Sequence, residues 1–278
     1  MTWMTSSSPP TATERAMTTS APIALDEIVR ALDGELRTAD VVDYGGAHNG
    51  LQVANRRGVS RVATAVDASR DTIRDAAAMG ADLLIVHHGL FWGGVQQIRG
   101  VTYDRLRLLF DHDIALYSTH LPLDAHPTLG NNVQLAQALG LTPSGGFAMH
   151  KGFPVGVRGE SDLDTEALVA RTRAFVAPYG GQVVTSLPPT GRRTRRWALC
   201  TGGGANSDSL REAYALGVDT LIVGEGPHHT AVDAIEHDLC VIYAGHYATE
   251  TLGVQALGGW LEAQFGLPHA FVLRPTGL

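Results

Sequence analysis

Two stretches of this 278-residue chain repeat each other in order as well as in content. Residues 74–88 read Arg-Asp-Ala-Ala-Ala-Met-Gly-Ala-Asp-Leu-Leu-Ile-Val-His-His, and residues 211–225 read Arg-Glu-Ala-Tyr-Ala-Leu-Gly-Val-Asp-Thr-Leu-Ile-Val-Gly-Glu. After the first unit, Asp111-His112-Asp113 precedes Tyr117-Ser118-Thr119-His120; after the second, Glu236-His237-Asp238 precedes Tyr243-Ala244-Gly245-His246. Four residues beyond each of these histidines stands a carboxylate, Asp124 in one copy and Glu250 in the other. One matched segment arises easily by chance, but four in the same order do not. The chain therefore reads as a duplication of one unit, and that constrains the fold more than any single motif.

Within each unit, apolar runs of strand length alternate with helical patterns. Val62 to Val66, Leu83 to Val86 and Ile114 to Tyr117 are predicted strands. Helices are predicted from Ser69, as N-cap, through Ala78, from Tyr103 to Phe110, and from an Asn131 or Asn132 cap to Gly140. Thr142-Pro143-Ser144-Gly145-Gly146 reads as a linker. Beyond it Phe153–Val157, Gln182–Thr185 and Trp197–Cys200 are predicted strands, and Asp164–Val176 a helix. Strands separated by helices imply an α/β fold with a largely parallel sheet. The expected organisation is a disordered Ser/Thr/Pro-rich tail over residues 1–22, with Met17 an alternative start, then a first α/β lobe over 23–145 and a second over 146–278.

Composition excludes several classes. The net charge is −7, and no run of Lys or Arg exceeds the short Arg192-Arg193-Thr194-Arg195-Arg196 cluster, so long nucleic acids are poor partners. No stretch approaches the ~20 apolar residues of a membrane span, and the N-terminal residues lack the apolar core of a secretory signal. Cys200 and Cys240 both lie in apolar runs and read as buried reduced thiols, consistent with a cytoplasmic protein.

The chemistry gathers at strand ends. His87-His88, His120 with Asp124, and His246 with Glu250 each follow a predicted strand, where parallel sheets collect ligands. Imidazole with carboxylate suits zinc, iron, manganese, cobalt or nickel, and the absence of cysteine from the set argues against a structural zinc knot. Neighbouring strand residues point to opposite sides, so His87 and His88 are expected to serve different ions, with Gly89 loosening the geometry. A shared carboxylate would let these few residues hold two divalent ions roughly 3.5–4 Å apart. The second repeat has Gly224-Glu225 where the first has His87-His88. The site is thus expected to lie between the lobes, with residues 245–278 completing the site of the first. His120 and His229 are the candidates for proton transfer or for orienting a ligand. Gly202-Gly203-Gly204-Ala205-Asn206-Ser207 follows a strand and opens a helix, so it is either a phosphate cradle or a plain tight turn. Asn49-Gly50 reads as a turn into a strand, with Asn49 near the site.

Taken together, His87-His88-Gly89-Leu90-Phe91-Trp92, His120-Leu121-Pro122-Leu123-Asp124-Ala125-His126-Pro127 with Gly130-Asn131-Asn132, and Gly245-His246-Tyr247-Ala248-Thr249-Glu250 resemble the signatures of the YbgI-like dinuclear-metal proteins, widely labelled GTP cyclohydrolase I type 2 homologues. Asn49 to Val53 matches a further segment of that family. The resemblance runs from about residue 24 to the C-terminus. It implies two similar intertwined α/β lobes, a ring-shaped homohexamer and metals facing its cavity. It further implies that His88 and Asp124 hold one ion and His87 and His246 the other, with Glu250 bridging. Ser118-Thr119 and Gly224 to His229 depart from the family pattern, which bears on substrate preference rather than on the metals.

The function expected on these grounds is a metal-dependent hydrolase acting on a small molecule, with a nucleotide such as GTP implied by the family label alone. The alternatives are a non-catalytic metal carrier, cofactor-assembly chaperone or regulatory scaffold, and a two-metal nuclease or phosphatase.

Overall fold

The computed structural model describes residues 21–278 apart from Gly93, Val95 and Gln96. The expected tail, save Ala21 and Pro22, and Met17 with it, lie outside the described residues. The first half runs α1 (Leu25–Leu36), β1 (Gly50–Val53), β2 (Val62–Asp67), α2 (Arg70–Ala78), β3 (Leu83–His88), α3 (Val101–Asp111), β4 (Ala115–Ser118), α4 (Leu121–Asp124) and α5 (Asn131–Ala138). The second runs β5 (Gly145–His150), β6 (Phe153–Asp164), α6 (Thr165–Val176), β7 (Val184–Thr185), β8 (Arg193–Cys200), α7 (Ser207–Leu216), β9 (Thr220–Val223), α8 (His228–Glu236), β10 (Cys240–Tyr243), α9 (His246–Thr249), α10 (Thr251–Phe265) and β11 (His269–Phe271).

The elements form two sheets, one of five strands in the order β1-β4-β3-β2-β11 and one of six in the order β5-β6-β8-β9-β10-β7. In the first, only β1 runs antiparallel to its neighbour. The second departs from the expected parallel arrangement, since only β8, β9 and β10 are mutually parallel. The cause is local. Lys151 (φ 45) and Gly152 (φ 97) both adopt left-handed backbone and close a two-residue hairpin, which joins β5 and β6 antiparallel. The linker read at 142–146 accordingly ends at Ser144, because Gly145 and Gly146 begin β5.

The run β2-α2-β3-α3-β4-α4-α5 is matched in order by β8-α7-β9-α8-β10-α9-α10, and the repeated residues do repeated jobs. Gly80 and Gly217 take left-handed φ after equivalent helices, as do Asp113 (φ 51) and Asp238 (φ 55). Asp82 accepts the backbone N–H groups of Ser60 and Arg61, and Asp219 those of Arg195 and Arg196, so each ties its β3-type strand to the start of the preceding one.

The halves exchange helices. Val254, Leu257 and Leu261 of α10 pack into one core with Leu83, Ile85, Ala115 and Tyr117 of the first sheet. Leu135, Ala136 and Leu139 of α5 pack instead on Trp197, Leu199, Ile222 and Ile242 of the second. Each fully buried leucine in these interfaces contributes about 2 kcal/mol, and β11 extends the exchange by pairing with β2. Helices α2 and α3 cover the other face of the first sheet, and α7 and α8 that of the second. No helix among the described residues is long and apolar enough to cross a membrane.

Caps set the helix starts. Ser69 accepts from Thr72 N, Asp164 from Ala167 N, and Asn206 forms a capping box with Ser209. The cap expected at Asn131 or Asn132 falls instead on Gly130, which has no side-chain acceptor to offer. Both asparagines are buried and turn their amides elsewhere, as follows.

Candidate metal centre

Strand β3 lies between β2 and β4 and carries His87 and His88 at its end. The two side chains lean to opposite neighbours. His87 Nδ1 donates to the Thr119 carbonyl beyond β4 at 2.9 Å, while His88 Nδ1 lies 2.9 Å from Asp67 Oδ1 at the end of β2. His246 Nδ1 is held by Glu225 at 2.8 Å, and His120 Nδ1 by Asp43 at 3.0 Å. With each Nδ1 engaged by an oxygen, each Nε2 is left to face inward, the way metal-binding imidazoles are usually oriented.

The inward atoms converge on Glu250, whose side chain is only 4 % exposed. Glu250 Oε1 stands 3.6 Å from His87 Nε2; Oε2 stands 3.4 Å from His88 Nε2 and 3.2 Å from His246 Nε2. Asp124 Oδ2 lies 3.5 Å from His87 Nε2. The ligand atoms of His88, His246 and Glu250 all lie within 4.8 Å of one another, as do those of His87, His88 and His120. Among these contacts His87 is the near neighbour of Asp124, and His88 and His246 share the other oxygen of Glu250. The reason is that the two oxygens of Glu250 face different sides of the histidine pair.

Two observations test whether a metal suits these residues. His87 Nε2 and Glu250 Oε2 are buried and have no hydrogen-bond partner, a costly state for polar atoms unless something else satisfies them. Electrostatics agree. Burial would push the His87 imidazolium down, but the carboxylates of Asp124 and Glu250 outweigh it and raise the group well above its ordinary range. Burial would likewise raise Glu250, yet His87, His88 and His246 hold it well below the usual carboxylate range. His246, where the carboxylates of Glu250 and Glu225 overcome burial, is raised to about 9. A site that attracts protons this strongly attracts cations, and four imidazoles with two carboxylates form a donor set for divalent transition metals.

The surrounding chain holds these groups in place. Asn131 Nδ2 donates to Asp124 Oδ1 at 2.9 Å while its Oδ1 accepts from Gly253 N, tying the carboxylate to α10. Asn132 bridges the Asp124 carbonyl, the Val155 carbonyl and Thr201 N. Asn49 joins the site through His120, accepting its N–H and donating to Asp43. Gly89 lies against the Gln52 amide, which accepts from Leu90 N; a Cβ there would stand 2.3 Å from that amide and oblige the Gln52 side chain to move. The glycine run after β8 bends the chain toward the neighbouring strand end, where Glu225 N donates to the Gly202 carbonyl and Ala205 N to the Glu225 carbonyl. Gly202 (φ +60) lies so close to Glu250 that a Cβ would stand 2.0 Å from Oε1.

Of the residues expected here, His87, His88, Asp124, His246, Glu250 and His120 come together. His229 does not: it is exposed on α8, its polar neighbour is Ser207 Oγ at 3.5 Å, and it is absent from the cavity wall. Asp43, Asp67 and Glu225 were not anticipated. Glu225 carries a usable signal, because it occupies the place of His88 in the second repeat; Asp43, in the stretch before β1, carries none. Both cysteines are buried free thiols. Cys200 lines the cavity, and burial together with Asp124 and Glu250 pushes its thiol upward, keeping it protonated. The cavity itself is open and of about 1140 Å³, with His88, His120, Asp124, His246 and Glu250 in its wall.

Comparison with known proteins agrees over nearly the whole chain. A "GTP cyclohydrolase 1 type 2 homolog" of Halobacterium salinarum is 43% identical over 256 residues, covering 91% of this chain and 99% of the relative. One of the same name from Deinococcus radiodurans is 39% identical over 268 residues, covering 96% and 100%. The solved structure described as "protein ybgI, unknown function" superposes with a TM-score of 0.82 at 37% identity, covering 92% of this chain and all of that one. The family model for Duf34/NIF3 (NGG1p interacting factor 3) matches residues 23–275, and the chain belongs to that family.

Proposed function

We propose that this chain is a dinuclear metal-dependent hydrolase of a small-molecule substrate. The observation that carries the reading is the Glu250 carboxylate, buried with one oxygen toward His87 and the other toward His88 and His246. With it, His87 and Asp124 would hold one ion, and His88 and His246 would hold the other. When bound, two divalent ions acidify water and polarise the electrophilic centre of a substrate.

The chain's own residues supply the rest. Thr119, Asp67 and Glu225 engage the Nδ1 atoms of His87, His88 and His246, so that an ion would take the place of any proton on each Nε2. His120 stands beside this group, its ring 4.9 Å from that of His87, and is oriented by Asp43. Its Nε2 is the group positioned to take or return a proton. A nucleotide is the first substrate class to test, supported by the name that these relatives carry. A reducing cytoplasm suits the two free thiols, and a homohexamer is the assembly to look for by light scattering.

Elemental analysis of the purified protein, with turnover of a panel of nucleotides and phosphoesters, tests the reading. Two ions per chain, with turnover lost in Asp124→Ala and Glu250→Ala, is the expected result. One ion per chain in protein reloaded with metal refutes the dinuclear reading. Full loading without turnover of any panel member favours a metal carrier or scaffold.

A further inference from the structure

We infer that Arg105, on α3, is the anion-binding arm of the cavity and takes an oxyanion, phosphate or carboxylate, carried by the substrate. The inference deepens the hydrolase reading by giving the substrate a charge. Arg105 is the one Lys or Arg among the described residues lining the cavity. It is half-buried, and its Nε is fully buried with no hydrogen-bond partner among the described residues.

The other charges around it are satisfied. On the same helix Asp104 pairs with Arg70, and Arg107 with Asp111. The carboxylates of the cavity wall look elsewhere as well: Asp67 is engaged by His88, Asp124 by Asn131, Asp208 by Arg211 and Glu212 by the Met149 N–H, while Glu250 faces the histidines of the metal centre. No carboxylate among the described residues lies in ion-pair range of Arg105. A guanidinium drawn partly out of water without a partner is costly to the fold. Its planar fork matches an oxyanion through two parallel hydrogen bonds. Its place in the wall that also holds His88, His120 and Glu250 gives one end of a substrate to the arginine and the other to the metal centre.

The experiment is calorimetric titration of the full-length protein, metal-loaded and after chelation, with inorganic phosphate in one arm and acetate in the other. Wild type is compared with Arg105→Gln and Arg105→Lys. In at least one metal state, Arg105→Gln is expected to weaken binding of one anion by about ten- to hundred-fold, with Arg105→Lys between it and wild type. The arm that loses more identifies the oxyanion. Metal content is expected to stay at the wild-type level and Tm to stay or rise, since an unpaired cation has been removed. A fall in Tm with unchanged anion affinity makes Arg105 structural and overturns the inference. So does wild type that binds neither anion in either state, or a variant that binds both as wild type does. Failure of the metal reading shows separately, as absent metal in wild type, while dependence of anion binding on Arg105 is still read in the chelated protein.

Discussion

Gly202 lies against the Glu250 carboxylate, so Gly202→Ala probes the centre without removing any candidate ligand. Its φ of +60 costs a residue with a side chain about 1–2 kcal/mol. The larger effect is steric. The new Cβ would stand 2.0 Å from Glu250 Oε1 and 3.2 Å from His246 Nε2, whereas real Cβ contacts essentially never fall below 3.0 Å. The carboxylate would therefore have to retreat by about 1 Å, several times the ~0.2 Å within which metal–ligand distances are held. In a protein of this size the backbone cost corresponds to a fall in Tm of roughly 2–8 °C. We expect Gly202→Ala to fold, melt a few degrees lower by scanning calorimetry, and retain one ion per chain or none after dialysis against defined metal. Gly203→Ala is the control, since nothing lies within 4 Å of its Cβ position. Retention of the wild-type metal content by Gly202→Ala would refute the placement of Glu250 at the heart of the centre.

Other expectations follow from the same geometry. Asp67→Ala and Glu225→Ala remove the acceptors that orient His88 and His246, and each should weaken metal affinity about 10- to 100-fold in a competition titration while leaving Tm of the metal-free protein nearly unchanged. Tyr117, fully buried, donates to Asp33 Oδ1 at 2.7 Å; Tyr117→Phe should cost about 1.5–3 kcal/mol in urea denaturation with no loss of metal. Asp43 gives a pH signature. Burial would raise its carboxyl, but His120, Asn49 and the Tyr44 N–H outweigh burial and lower it from 3.8 to about 2. A depressed carboxyl stabilises the fold fully above its unfolded value and loses that contribution as pH falls through its folded one. The stability gap between wild type and Asp43→Asn should therefore be widest above about pH 4 and shrink toward pH 2; a gap independent of pH in that window would reject the assignment.

The parts of this fold legible in the sequence are those set by local chemistry. Gly80 with Asp82 and Gly217 with Asp219 recur because the same turn and the same backbone bonds recur, so the repeat could be seen without knowing its shape. His87, His88, Asp124, His246 and Glu250 stood out because they follow strands at matched spacing. What escaped was set by distance. The apolar faces of α5 and α10 do not record which sheet they cover, and the exchange between halves depends on contacts far apart in the chain. Asn131 and Asn132 look like caps because a cap needs only a nearby amide, whereas their acceptors Asp124 and Val155 become neighbours only in the fold. His229 follows a repeat-equivalent strand, but α8 begins at once and carries the side chain to the surface.

The exchange of helices explains why the two matched units yield one centre rather than two. The end of β3 supplies His87 and His88, while the matching end of β9 supplies Gly224 and Glu225. Gly224 is pressed so closely against the Gly202 carbonyl, at 2.5 Å from a Cβ position, that no imidazole could replace it there. Glu225, standing where His88 stands in the other unit, orients His246 instead. The short helices after β4 and β10 divide their roles in the same way. His246 and Glu250 face the histidine pair directly, while Asp124 approaches His87 alone and His120 leans on Asp43. Because α10 crosses to the first sheet, Glu250 at its start is drawn over the end of β3, and the second unit completes the first. A variant that restored symmetry by placing histidine at Gly224 would thus gain no second site: it would press on Gly202, and through Gly202 displace the carboxylate on which the existing one depends.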